Sequence, residues 1–345
     1  MLYGANGYTG RLVAELAVRR GHRPLLAGRD GRRVGALAGE LGLDHVVVPL
    51  TRPAELATAL ADVEAVAHCA GPFSQTSAPM VDACLAAGVH YVDVTGEIDV
   101  LEAVLSRDEE ARRAGVALLP GSGFDVVPTD CLAAMLVERL PGTTDLEIAF
   151  RGGGGLSPGT ARTAIEGITH GGRARVDGRL VAVPPGWRRR IVDLPSGPCS
   201  VTSIPWGDVS TAFHSTGVGN VTTYTVVPFS RGQGLVAPVV RVPGARRLLQ
   251  TLVSRALTGP GPDRREHSRT EVWVRASAAD GSAAVGTMTT PNGYSLTADS
   301  VVRVVERLLA GEVAAGAWTP SRAHGPTFAL GLDGVVLHGI EVAAG

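Results

Sequence analysis

Met1-Leu-Tyr-Gly-Ala-Asn-Gly-Tyr-Thr-Gly10 is the stretch on which the reading of this 345-residue chain turns. Gly4, Gly7 and Gly10 form G-x-x-G-x-x-G after a short apolar run and before an amphipathic segment. A residue without Cβ takes positive φ at almost no cost, so Gly4 permits a tight strand-to-helix turn. Gly7 lets the backbone come close to a pyrophosphate, and Gly10 lets the helix pack on its strand. The N–H groups and positive dipole end of that helix then hold the phosphates. A glycine triplet alone reads equally as a tight turn, and its context decides. Leu12, Val13, Leu16 and Ala17 make a helical stripe, Gly21 ends it, and Arg23-Pro-Leu-Leu-Ala-Gly-Arg29 reads as the next strand.

The end of that second strand bears on which dinucleotide is held. An acidic residue about twenty positions beyond the glycines bonds the ribose 2′-hydroxyl of NAD, whereas an arginine accommodates the 2′-phosphate of NADP. Arg29 stands at this place, with Arg32 and Arg33 behind it. A guanidinium forks onto a phosphate through charge-assisted bonds. Arg11, a cation in the first helical turn where the macrodipole disfavours one, is a second hint of an anion there. NADP is the favoured cofactor, and Asp30 leaves NAD open.

Composition narrows the field. Hydrophobic residues are 45% of the chain and aromatics 4%, and the formal net charge is −1, so no electrostatic case exists for nucleic acid. All 32 basic residues other than histidine are arginine. Without lysine there is no Schiff base, no P-loop lysine and no Tyr-x-x-x-Lys proton relay. Cys69, Cys84, Cys131 and Cys199 have no metal spacing, and reduced thiols in a cytoplasmic protein are expected. No apolar run reaches the roughly eighteen residues that span a bilayer. Only Met1, Leu2 and Tyr3 precede the glycines, so the first strand is either short or continues upstream of Met1.

Residues 1 to about 125 alternate strand and helix at the spacing of a parallel sheet. Further strands are read at His45–Leu50, Glu64–Ala70, Val89–Val94 and Val116–Pro120, with helices near 31–41, 53–61, 98–114 and 128–139. Gly71-Pro72-Phe73 is followed by a polar turn and then a helix through Met80 to Ala87. Ligands of such sheets lie beyond the carboxyl ends of the strands, which brings Arg29, Gly71–Phe73, Thr95–Glu97 and the turn after Pro120 to one edge. From about 143 strand-like runs dominate (Leu146–Phe150, Ala174–Val183, Val201–Ile204, Val221–Phe229, Thr270–Ala278, Ala283–Thr290). Asp177-Gly178 and Asp280-Gly281 mark hairpins of an antiparallel or mixed sheet. Gly152–Gly155 suits a loop or lid before a helix at Thr160–Thr169, and Leu248, Leu249, Leu252, Val253 and Leu257 form a stripe suited to a core, a subunit interface or a lipid surface.

The turns define the candidate site. Gly4, Asn6, Gly7, Tyr8, Thr9, Gly10, Arg29, Ala70, Gly71, Pro72, Phe73, Thr95 and Gly96 are the cofactor-binding set, with the Phe73 ring expected to face the nicotinamide. Glu97 and Asp125 are the candidate catalytic residues, either able to relay a proton and either able to serve instead as a cap. Tyr91 reads as core, and His170 and His214 as ordinary histidines of the second domain. No cluster has metal spacing.

Gly4–Gly10, Gly28-Arg29, Ala70-Gly-Pro-Phe73, Tyr91-Val-Asp-Val-Thr-Gly-Glu97 and Gly123-Phe-Asp-Val-Val-Pro-Thr-Asp130 together carry a resemblance. The chain resembles the saccharopine-dehydrogenase-like reductases, most of all their trans-acting enoyl reductase branch. The likeness is dense over about 1–135 and thinner beyond, where Ser157–Glu166 and Thr319-Pro320 still fit. It implies an α/β fold: a Rossmann-type parallel-sheet domain with an inserted α+β domain carrying a mixed or antiparallel sheet. The expected boundaries are an NADP-binding domain at 1–125, a substrate and dimerisation domain at 126–296, and a segment at 297–345 packing back on the first. The activity implied is NADPH-dependent reduction of a C=C (enoyl) or C=N bond on a small apolar lipid- or polyketide-derived substrate, free or bound to a carrier or CoA, by a homodimer. The substrate is expected between the two domains. A non-catalytic NADP(H)-binding accessory or sensor is the alternative.

Overall fold

The computed structural model describes residues 1–153, 155, 157, 171–226 and 259–345, and they form two compact units. One comprises Met1–Val127 and Tyr294–Phe328, the other Pro128–Gly293 and Ala329–Gly345. The expected helix at Thr160–Thr169, the stripe at 245–257, His170 and the end of the Val221–Phe229 strand lie outside the described residues.

In the first unit, β1 (Leu2–Tyr3), β2 (Leu26–Gly28), β3 (His45–Val47), β4 (Ala65–His68), β5 (His90–Asp93) and β6 (Ala117–Leu119) alternate with α1 (Tyr8–Arg19), α2 (Gly31–Leu41), α3 (Pro53–Leu60), α4 (Phe73–Ala87), α5 (Ile98–Leu105) and α6 (Asp108–Ala114). The sheet order is β3-β2-β1-β4-β5-β6, extended beyond β6 by Gly316–Ala317, and every pairing is parallel. Strands buried on both faces must be apolar throughout. Leu26, Ala27, Val66, Leu118 and Leu119 are accordingly fully buried. The order reverses between β1 and β4, the switch point at which ligands of open α/β sheets bind.

Two helices differ from the sequence reading. The helix expected over 98–114 is two, α5 and α6, because Asp108-Glu-Glu starts a new N-terminus where carboxylates meet the positive dipole end. Arg107, at the junction, pairs with Asp82 and Glu110. The polar turn expected after Phe73 is absent, and α4 starts at Phe73 and carries Pro79 inside it.

The helix Gly293–Leu309 returns to this unit. Its Ala298, Val301 and Val302 pack with Val13 and Ala14 of α1 and Leu37 of α2. Arg20 adds ion pairs to Asp299 and Glu306. The expectation that all of 297–345 packs on the first domain is corrected beyond Phe328. Val336–Ala343 pairs antiparallel with Ala283–Pro291 in the second unit. A short extended segment is held by the ladder hydrogen bonds that a strand edge offers, and that edge lies in the other sheet.

The second unit is a nine-stranded mixed sheet. Its path runs Arg189–Leu194, Gly197–Ser203, Asn220–Thr225, Thr143–Arg151, Arg269–Ala278, Ala283–Pro291 and Val336–Ala343, with the hairpin Gly172–Val176/Arg179–Val183 beside Asn220–Thr225. Asn220–Thr225 and Thr143–Arg151 run parallel, and the remaining pairs are antiparallel. The expected run Ala174–Val183 is this hairpin, turned at Asp177 (φ 47) and Gly178 (φ 76). Arg189–Leu194 escaped the sequence reading because Arg188-Arg-Arg190 masks its alternation, although Val192 and Leu194 are buried. Among the described residues no helix is long and apolar enough to cross a membrane.

Candidate functional site

The glycine turn has the geometry its spacing implies. Gly4 has φ +78, and a Cβ there would lie 2.8 Å from the Ala70 backbone nitrogen, so β1 and the turn after β4 meet at a point only glycine fits. A Cβ on Gly10 would come within 2.3 Å of the Gly4 carbonyl oxygen, so α1 sits directly on the turn. Gly7 precedes the helix and offers no side-chain cap, and the first turn of α1 holds no acidic residue. That helix end therefore has a dipole and main-chain donors to offer an anion, which no carboxylate of its own turn opposes. Tyr8, in that first turn, packs edge-on against Tyr294 with ring centroids 4.9 Å apart. The Asn6 side-chain oxygen lies 3.2 Å from where a Gly28 Cβ would be, which joins the glycine turn to the end of β2.

At that strand end two adjacent residues divide their work. Asp30 caps α2, its carboxylate accepting from the Arg33 N–H at 3.1 Å. Arg29 is exposed and makes no hydrogen bond or ion pair among the described residues, and Arg32 is likewise exposed and unpaired. Arg11, the second hint of an anion, has another explanation. Its guanidinium bonds Glu15 at 2.7 Å and also pairs with Glu40, so the cation at that helix start is already neutralised.

The turn after β4 differs from its expected role. Gly71 is exposed and Pro72 half-buried, but the Phe73 side chain is only 8% exposed and lies in the core. Its ring stands edge-on to His68, centroids 5.4 Å apart, so it faces inward. The reason lies in the backbone. Glu97 accepts from the Phe73 N–H at 2.9 Å through one oxygen and from the Ser74 N–H at 2.8 Å through the other. The carboxylate thus caps α4, starts the helix at Phe73 and turns the ring inward. Of the two readings of Glu97, the cap is the one seen; both oxygens are engaged in it.

Thr95 is also fully buried, with its hydroxyl accepting from the Glu97 N–H at 3.1 Å. It shapes the turn from a buried position. Gly96 and Asp125 do come together. A Cβ on Gly96 would lie 2.9 Å from an Asp125 carboxylate oxygen, so the absence of a side chain seats the acid there. Loss of hydration pushes the half-buried Asp125 carboxyl up to about 7. The loop that carries it is fixed from far along the chain, the Thr297 hydroxyl accepting from the Phe124 N–H at 2.9 Å.

Beneath these turns lies a buried polar chain that the sequence reading passed over. Tyr91, taken as core, is fully buried and donates to Asp93 at 2.7 Å while contacting Ser77 at 3.2 Å. Asp93 has no exposed surface, and burial pushes its carboxyl up to about 6 against the opposing hydrogen bonds. His68, stacked on Tyr3 at 5.4 Å, meets Thr76 at 3.1 Å, and burial brings its pKa down to about 3. The available signal was a carboxylate inside an apolar strand, since such groups are rarely buried unpartnered. His214 belongs to the second unit, on the helix Asp208–Thr216 beside Phe213.

Residues 1–119 match the model of the saccharopine dehydrogenase NADP binding domain. A protein of Mycobacterium tuberculosis that carries the provisional name of trans-acting enoyl reductase is 33% identical over 182 residues, 48% of this chain and 43% of that protein. The trans-acting enoyl reductase of Mycobacterium leprae is 32% identical over 148 residues, 41% of this chain and 35% of the other. The matches thus span less than half the length of these relatives. Apo saccharopine dehydrogenase (L-Glu forming) from Saccharomyces cerevisiae aligns over 99% of both chains with a TM-score of 0.64 at 14% identity, a likeness of fold.

Proposed function

We propose that this chain, whose residues 1–119 match a saccharopine dehydrogenase NADP-binding domain, is an NADPH-dependent reductase of a C=C (enoyl) or C=N bond on an apolar, lipid- or polyketide-derived intermediate. One observation carries the preference for NADP over NAD: Asp30 is spent as a helix cap while Arg29 beside it stands exposed and unpaired. A free guanidinium at that strand end suits a 2′-phosphate, and the neighbouring carboxylate already serves the Arg33 N–H and faces the Arg33 guanidinium at 3.4 Å. The donor set fits the rest of the cofactor. The uncapped start of α1, free of acidic residues in its first turn, suits the pyrophosphate, and exposed Gly71 leaves room beside the turn after β4.

When bound, NADPH supplies the hydride. The chain's part is to orient it and to provide a proton, and Asp125 is the group suited to the second task. A carboxyl whose pKa is near 7 is partly protonated at neutral pH, as a general acid needs. Glu97 contributes indirectly, by holding the Gly71–Phe73 turn in shape. The enoyl substrate class rests on the names of the mycobacterial relatives.

Titration with NADPH and NADH tests the cofactor. NADPH should bind more tightly, and Arg29→Ala should erase the difference, a loss of about ten- to hundred-fold for one charge-assisted contact. Equal affinity for the two cofactors in the unmutated protein would refute the role of Arg29. Steady NADPH consumption with an α,β-unsaturated acyl thioester or an imine tests the reaction. Tight binding without turnover on either would assign the chain to the non-catalytic accessory class.

A further inference from the structure

We infer that Asp93 is the positioning residue of this site: its buried carboxylate ties the turn after β5 to the turn after β6 and so seats Asp125 against Gly96. The inference rests on the reading of Asp125 given above. The ladder between β5 and β6 is recorded at Tyr91↔Leu118 and Val92↔Leu119 and goes no further. Beyond that point two parallel strands would ordinarily release independent loops. Here Asp93 continues the connection. One carboxylate oxygen accepts from the Thr95 N–H at 3.0 Å and from the Gly121 N–H at 2.8 Å, and the Asp93 carbonyl accepts from the Ser122 N–H at 2.7 Å. The first bond belongs to the turn that carries Gly96, and the other two belong to the turn that leads to Asp125. Both partners of the Gly96–Asp125 contact are therefore anchored to one side chain.

The second carboxylate oxygen has a different task. It accepts from Tyr91, whose hydroxyl also meets Ser77 of α4, so it fixes the acid in the core. Cys69 and Glu97 also feel its charge. A carboxylate at a site with no exposed surface is expensive, and an apolar residue would complete the strand more cheaply. Two converging main-chain N–H groups explain its presence, since each would otherwise be buried without an acceptor.

The division between the two oxygens makes the inference testable without substrate or cofactor. Asp93→Asn keeps one carbonyl oxygen for both N–H groups. Tyr91→Phe removes the core bond and leaves the tie. Asp93→Leu removes the tie. In the protein alone, carboxyl-carbon NMR should find the Asp125 midpoint near its native value of about 7 in Asp93→Asn and Tyr91→Phe. In Asp93→Leu it should fall toward the ordinary 3.8, with Thr95 and Gly121 amide exchange faster by roughly tenfold. An unmoved midpoint in Asp93→Leu, or an equal fall in Tyr91→Phe, would overturn the assignment. If Asp93→Leu does not fold, Asp93→Asn decides: a midpoint lowered by about one unit or more would show that the charge of Asp93, and not its tie, sets Asp125. Because no ligand is present, failure to bind NADPH would count against the proposed function and leave this result standing.

Discussion

The two ends of the β-sheet edge in the first unit are built on opposite plans. At the β1–β2 end the work falls to the backbone and to an exposed cation: a glycine turn, an uncapped helix start and the unpaired Arg29. At the β5–β6 end it falls to side chains that are buried (Asp93, Thr95) or half-buried (Glu97, Asp125), each holding a turn or held by one. The difference suits the tasks proposed for the two. Phosphates are recognised by N–H groups and a dipole, which need only the chain to pass close by. A proton donor needs a perturbed carboxyl at a fixed point, which needs burial and several anchors.

Breaking the first plan should have the largest effect. Gly10→Ala puts a methyl group 2.3 Å from the Gly4 oxygen, a contact that no rotamer relieves. We expect a loss of ~3 kcal/mol or more in denaturant unfolding, with NADPH binding abolished. A stable, binding-competent Gly10→Ala would mean that α1 can slide on the turn.

The second plan should fail chemically before it fails structurally. Asp125→Asn should lower turnover by roughly 10²–10⁴-fold while NADPH affinity stays within about threefold. Turnover of the unmutated protein should decline as pH rises above about 7, where the acid form of Asp125 is lost. Stability has the same sign. The folded-state pKa is raised, so the contribution is complete below about 3.8 and is lost as pH climbs through about 7. Asp125→Asn should flatten that slope in melts taken from pH 4 to 8. A pH–rate profile flat across 6 to 8 would move the proton source elsewhere.

Glu97→Gln is a milder break. The amide retains one acceptor where the carboxylate offered two, so α4 should lose about 1 kcal/mol of capping and turnover should fall less than in Asp125→Asn. A drop matching that of Asp125→Asn would return Glu97 to the catalytic group. The smallest effect sharpens the comparison from outside the site. Gly39, on the exposed side of α2, has nothing within 4 Å of its would-be Cβ, so Gly39→Ala should stabilise by about 0.5–1 kcal/mol and leave NADPH affinity unchanged.

These contrasts mirror what could be read before the fold was known. Glycine spacing, apolar runs and turn pairs are local, and a short segment of chain suffices to specify them. From them follow the alternating strands and helices of the first unit, the glycine turn with Arg29, and the Asp177-Gly178 hairpin. The identities of Gly96 and Asp125 were legible too, because both stand at strand-end turns. Their contact was not, since it depends on how two turns are held. The inward ring of Phe73 was misread for the same reason: the carboxylate that turns it is 24 residues away. Thr297 is 173 residues from the N–H it accepts, and Val336–Ala343 joins a strand of the other unit. A hydrogen-bond partner or a strand edge brought in from a distant part of the chain leaves no periodic trace in the sequence, because its free energy depends on a position in space that only the folded backbone supplies.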